Sequence, residues 1–343
     1  MMGFGTFEVP INYEDFRAIG VGSVGRVCSA LDEISGSHFA VKKVKDTFKS
    51  SGLAQRTYRE IRMLKEFDHD NILKLHNVFI SPSDEVYIVT DLMHFSLEEI
   101  MKGTSLDKED IQYFIYQILR GLKYIHSAEI AHRDLKPGNI LVDKEGHLKV
   151  CDFGMARVKD PKMTAYVTTR WYRAPEIILK HGEYGVEVDL FSLGCIFAEM
   201  LEQDPVHPLF ESKDGRNHYY LIAELLGSPP KELTEGTHLA GLFREAPESR
   251  RRPKKFAERF KSQDACARDL LEKLLRWVPS ERISAERALE HEFVQPFRDV
   301  DGETALPGRF DDPNSGADLS PNQWRDVIIR EIRDFHKRRT RFS

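Results

Sequence analysis

One stretch constrains this chain more than any other: His132-Arg133-Asp134-Leu135-Lys136-Pro137-Gly138-Asn139, followed by Asp152-Phe153-Gly154 thirteen residues after Asn139. Two short strands are expected between the halves, near Ile140–Val142 and His147–Cys151. The residue types fit one chemistry. Asp134 can accept or orient a hydroxyl proton, Lys136 can neutralise charge on a transferred phosphoryl group, and Asn139 and Asp152 offer oxygen donors to metal ions. Two Mg²⁺ ions would offset the charge of a triphosphate during in-line transfer. Ala174-Pro175-Glu176 closes the segment that Asp152 opens.

The upstream chain supplies the other half of such a site. Gly20-Val21-Gly22-Ser23-Val24-Gly25-Arg26-Val27 is a glycine-rich run whose bare backbone can approach phosphates closely. Taken alone it also suits a dinucleotide fold or a plain hairpin turn. The next strand decides between them: Ala40-Val41-Lys42 puts a lysine on an otherwise apolar strand, where it needs an anionic partner. ATP phosphates and Glu60, on the following helix, would supply that partner.

The 343 residues suffice for a sizeable core, and 41% hydrophobic with 31% charged residues lies far from the composition of disordered chains. A formal net charge of -5 gives no reason to expect nucleic acid or an acidic membrane as the main partner. The four cysteines, Cys28, Cys151, Cys195 and Cys266, lack the short paired spacing of a zinc or dithiol site and read as reduced packing residues, which points to cytosol or nucleus. No apolar run approaches the length of a membrane span, no export signal is evident, and Phe7 breaks the myristoylation pattern.

Residues from about Asp15 to Thr90 read as strand-rich, with a strand over His38–Val44, a charged helix near Gln55–Glu66 and an apolar run Val86–Thr90. After Asp91–His94 the pattern turns helical. Ile111, Phe114, Ile115, Ile118, Leu122 and Ile125 mark one helix, and Leu190, Leu193, Phe197 and Met200 mark another. Trp324, Ile328, Ile332 and Phe335 mark a tail helix. The charge run Arg250–Lys255, broken by Pro253, reads as a solvated loop.

With all these signatures present once and in order, the chain resembles the eukaryotic protein kinases over nearly its whole length. The resemblance implies an α+β, bilobal fold: a small lobe over 1–93, a large helical lobe over 94–298 and a C-terminal extension over 299–343. It also implies a buried Glu176–Arg282 ion pair. Ile19 through Val27, Ala40, Lys42, Glu60, Thr90, Asp91, Met93 and Leu141 would line the nucleotide site, with Thr90 as gatekeeper and the Asp91 and Met93 backbone holding the base.

Met163-Thr164-Ala165-Tyr166-Val167-Thr168-Thr169-Arg170-Trp171-Tyr172-Arg173 looks like the activation lip of a mitogen-activated protein kinase. The short lip, Arg56-Thr57-Tyr58-Arg59-Glu60 and Thr90-Asp91-Leu92-Met93 are similar to the stress-activated branch. By that resemblance, an upstream dual-specificity kinase would phosphorylate Thr164 and Tyr166. Arg56, Arg59 and Arg133 would then grip phospho-Thr164, while Arg170 and Arg173 would grip phospho-Tyr166. Substrates would be proteins with Ser or Thr followed by proline. Asp299, Asp301 and Glu303 would form an acidic patch for basic docking segments of substrates, activators, phosphatases and scaffolds, on a protein acting as a monomer.

The sequence departs from the family at Val24, at Gly138, where serine is usual, at Phe191, and at Ala165 and Thr168 of the lip, none of which removes a catalytic group. The alternatives weighed against this reading are a catalytically weak or inactive signalling scaffold on the same fold and a small-molecule kinase.

Overall fold

In a computed structural model the described residues are 6–22, 25–158, 170–179, 184–203, 207–234 and 255–339. Ser23, Val24, Thr164, Tyr166 and the adjoining Ala165 and Thr168 lie outside them, as does the run 250–255 apart from Lys255.

The first third of the chain builds a five-stranded antiparallel sheet from β1 (Tyr13–Gly22), β2 (Gly25–Asp32), β3 (Ser37–Val44), β4 (Leu75–Ile80) and β5 (Val86–Asp91), in the order β1-β2-β3-β5-β4. Side chains alternate across a strand. Val41 therefore enters a small core with Tyr13, Ala30, Tyr87 and Val89, while Ala40 and Lys42 face the other way. Register sets Val27 beside Lys42 and Ala40 beside Thr90. At the β1–β2 turn only glycine fits: Gly25 has φ of 153°, and a Cβ there would lie 2.2 Å from the Lys43 carbonyl oxygen.

Helix α1 (Ser51–Glu66) packs beneath the sheet. Ser50 caps it by accepting the Leu53 N–H, and Ala54, Tyr58, Ile61 and Leu64 form its buried stripe.

The second layer is helical. After β6 (Phe95–Ser96) come α2 (Leu97–Gly103) and α3 (Lys108–His126), each opened by a reciprocal capping box: Ser96 with Glu99, and Asp107 with Asp110. All six apolar residues expected on α3 are buried. Strands β7 (Ile130–Ala131), β8 (Ile140–Val142), β9 (Leu148–Val150) and β10 (Arg157–Val158) frame the catalytic segment.

Then follow α4 (Pro175–Leu179), α5 (Glu187–Glu202), α6 (Gly215–Leu226), α7 (Lys231–Thr234), α8 (Lys255–Arg259), α9 (Ala265–Leu274) and α10 (Ala285–Leu289). Helix α5 is buried continuously from Val188 to Met200 and forms the centre of the large core.

The chain finally returns to the small lobe as α11 (Pro321–Arg339), whose Trp324, Val327, Ile328, Ile332 and Phe335 are buried. The result is an α+β, two-lobed molecule. No described helix is long and apolar enough to cross a membrane.

Candidate active site

The site is assembled where β3, α1 and the β7–β9 loops meet. Lys42 Nζ donates to Glu60 Oε1 at 2.6 Å, with both side chains largely buried. Removing one partner of such a pair typically costs 3–5 kcal/mol, because the other charge is left stranded.

Asp134 is buried and fixed by two neighbours. Lys136 Nζ lies 3.1 Å from its Oδ2, and the Asn139 side-chain amide donates to Oδ2 at 3.0 Å and to the Asp134 carbonyl at 2.8 Å. This tethers the nitrogen of Asn139 and leaves its Oδ1 for another partner. The backbone beneath is pinned by Asp189 on α5, whose side chain is wholly buried: its carboxylate accepts the His132 and Arg133 N–H groups at 2.7 and 2.8 Å and pairs with His126 at 2.9 Å. Nothing in the local sequence assigned Asp189 that role, although a carboxylate among the apolar residues that open the run Val188–Met200 is the available signal.

Arg133 and Asp152 adopt left-handed φ values of 70° and 60°, a conformation that costs a non-glycine residue about 1–2 kcal/mol. Tertiary contacts hold it. His132 Nε2 donates to the Cys151 carbonyl at 2.9 Å, and Phe153 packs edge-on against His132 and Phe67 with centroids 5.0 Å apart.

Asp152 departs from the expected picture. The Arg56 guanidinium, read from the sequence as a phosphate-gripping group, closes on this carboxylate at 2.8 and 3.1 Å. Gly154 makes room for it, since a Cβ there would sit 2.6 Å from Arg56 Cγ. Burial pushes the Asp152 carboxyl up, but Lys42 and Arg56 outweigh it and hold it down at about 2.

The other arginines are placed as follows. Arg133 stacks over Tyr184 with its hydroxyl as acceptor and donates to the Met155 carbonyl at 3.1 Å. Arg170 donates to the Lys213 carbonyl at 3.1 Å. Arg59 is partly buried on α1, and Arg173 is partly buried beside Ala174.

On the nucleotide side, Thr90 and Met93 are buried, Leu141 is partly so and Ile19 is half exposed. Gly20 pairs with Val27 and Val21 with Arg26 across the glycine-rich hairpin. A Cβ on Gly138 would come within 3.1 Å of Glu98 Oε2, so the departure from serine there is matched by a carboxylate reaching in from α2.

The Glu176–Arg282 pair is formed, with contacts of 2.5 and 2.7 Å, and Arg282 also lies over the Phe191 ring. The acidic docking set is not uniform. Asp299 and Asp301 are exposed, whereas Glu303 is buried between Arg298 at 3.1 Å and Lys123 at 3.3 Å. Glu303 is thus an internal anchor, not part of an exposed patch, because Arg298 beside the turn and Lys123 on α3 both close on its carboxylate.

A β-sheet lobe over a helical lobe, with a lysine–glutamate pair and two aspartates converging at their junction, defines a protein kinase. The protein kinase domain model matches residues 13–294. Over 334 residues covering 96% of this chain, it is 46% identical to mitogen-activated protein kinase HOG1 of Arthrobotrys oligospora and 47% identical to mitogen-activated protein kinase hog1 of Botryotinia fuckeliana, of which 94% and 93% are covered. It is also 46% identical to mitogen-activated protein kinase sakA of Aspergillus fumigatus, covering 96% of this chain and 90% of that one. The chain belongs to the mitogen-activated protein kinases, in their stress-activated branch, and is a serine/threonine protein kinase.

Proposed function

We propose that this kinase transfers the γ-phosphoryl group of ATP to Ser or Thr followed by proline, and that phosphorylation of Thr164 and Tyr166 switches it on. Protein kinases as a class use ATP and a divalent metal. The residues present fit Mg²⁺: the open Oδ1 of Asn139 and the carboxylate of Asp152 form an all-oxygen donor set, the kind that ion prefers. When bound, the metal would offset phosphate charge.

The protein's own groups do the rest. Asp134, held by Lys136 and Asn139, orients the substrate hydroxyl and accepts its proton. Lys136 steadies the charge on the group in flight. Lys42, fixed by Glu60, meets the α- and β-phosphates.

The observation that carries this reading is that Lys42–Glu60 and Asp134–Lys136–Asn139 are both formed while Arg56 occupies Asp152. A phosphate on Thr164 offers Arg56 a competing dianion. Moving Arg56 to it would expose Asp152 to metal, which links the lip to the chemistry. Proline preference rests on resemblance and on the residue type: proline has no N–H left to satisfy. Asp299 and Asp301 remain candidates for docking basic segments of activators, phosphatases and scaffolds, and we place the protein's action, as a monomer, in cytosol and nucleus.

A peptide array treated with dually phosphorylated enzyme tests the substrate reading. Ser-Pro and Thr-Pro peptides should dominate, and equal labelling of Ser-Ala peptides would refute the preference.

A further inference from the structure

The hinge carries a carboxylate that phosphoryl transfer does not use. Asp91 ends β5, and its side chain is mostly buried at 22% exposure. Its Oδ1 lies 2.6 Å from His76 Nε2 on β4. Its Oδ2 accepts the Lys74 N–H at 3.1 Å and lies 3.2 Å from Lys149 Nζ on β9. Burial raises the Asp91 carboxyl, yet His76 and Lys149 leave it below the ordinary carboxylate range.

These partners belong to three segments: β4, the loop that precedes it and β9. His76 packs against Phe39, ring centroids 4.5 Å apart, and Phe39 sits opposite Asp91 in the β3–β5 register. Lys149 Nζ also donates to the Asp70 carbonyl at 2.9 Å, in the loop between α1 and β4. That loop is stitched to β9 by Leu73 N–H to Val150 O and Val150 N–H to Asn71 O, at 3.0 and 2.9 Å. One carboxylate therefore ties the small-lobe sheet, the α1–β4 loop and a large-lobe strand to the start of the hinge.

The backbone so fixed is the edge that the resemblance assigns to the base. The Asp91 N–H is taken by the Lys74 carbonyl at 3.3 Å, and the Asp91 carbonyl accepts the Thr90 hydroxyl at 3.3 Å. Rotation of this peptide plane, or displacement of Met93 two residues on, would misalign the two groups expected to hold adenine. Three charge-assisted contacts on the Asp91 side chain resist both movements.

We propose that Asp91 is a positioning residue: through His76 and Lys149 its carboxylate holds the hinge in register for adenine, so that nucleotide affinity, not the transfer step, depends on it. The proposal rests on the nucleotide site described above. It separates from a purely structural role because an ordinary loss of stability lowers the amount of active enzyme without changing KM for ATP.

The test uses the full-length, dually phosphorylated enzyme and compares Asp91→Asn, Lys149→Met and the double variant, with thermal melts beside steady-state kinetics. KM for ATP should rise about tenfold in Asp91→Asn, the scale of one lost charge-assisted contact, while kcat and KM for the protein substrate hold. Lys149→Met carries the same expectation if Asp91→Asn does not fold. The double variant should be no worse than the worse single one, as expected for groups sharing one interaction. An unchanged KM for ATP with a lower melting temperature would overturn the proposal, as would a fall in kcat at constant KM. ATP-independence of the unsubstituted enzyme would overturn both this proposal and the nucleotide site on which it rests.

Discussion

Asp152 is the residue on which the most forces meet. Lys42 and Arg56 both face it, and a single carboxylate cannot serve a guanidinium and a divalent cation equally well. Arg56→Ala should therefore tighten binding of Mg²⁺-ADP to the unphosphorylated protein by about tenfold, measured by titration calorimetry; weaker binding would mean that Arg56 helps to hold the nucleotide. The acid behaviour has a defined sign. Asp152 titrates lower in the fold than its ordinary 3.8, so its contribution to stability is complete above that value and is lost as pH falls towards about 2.

At the scale of elements, α1 is the part that everything else grips. It carries Arg56, Arg59 and Glu60 on one side, while the C-terminal extension clamps the other. Tyr58 donates to Asp312 at 2.6 Å, accepts from Asn314 at 3.0 Å and lies 5.1 Å from the Trp324 ring; Lys65 pairs with Glu331 and, at 2.8 Å, with Asp334. Trp324 is 1% exposed, so Trp324→Ala should cost about 3–5 kcal/mol, read as a lower denaturation midpoint with faster exchange of the α1 amides. A loss below about 1 kcal/mol would show that the extension merely rests on α1.

Across the whole molecule, what could be read in the sequence divides by range. The stripes of α3 and α11 and the order of the catalytic runs were legible because periodicity and short spacing are local properties. The Glu176–Arg282 pair came only with the family resemblance, since partners 106 residues apart leave no local trace, whereas Lys42 called for an anion such as Glu60 because its strand is otherwise apolar. The hold of Asp189 on the catalytic loop, 57 residues away, and the anchoring of Asp91 by Lys149 went unread for the same reason. Glu303 misled because its sequence neighbours are acidic, while the two cations that bury it include one from α3, 180 residues earlier.

Phosphate transfer at the junction of the lobes and its control by the lip can be read in one assay. The most direct measurement is γ-phosphate transfer from ATP to a Ser-Pro protein substrate before and after phosphorylation of Thr164 and Tyr166, with Asp152→Asn as control. Phosphorylation should raise the rate at least about a hundredfold, with none of the rise surviving in Asp152→Asn or in Thr164→Ala/Tyr166→Phe. Transfer no greater than the Asp152→Asn control, or full activity in the lip variant, would contradict this reading.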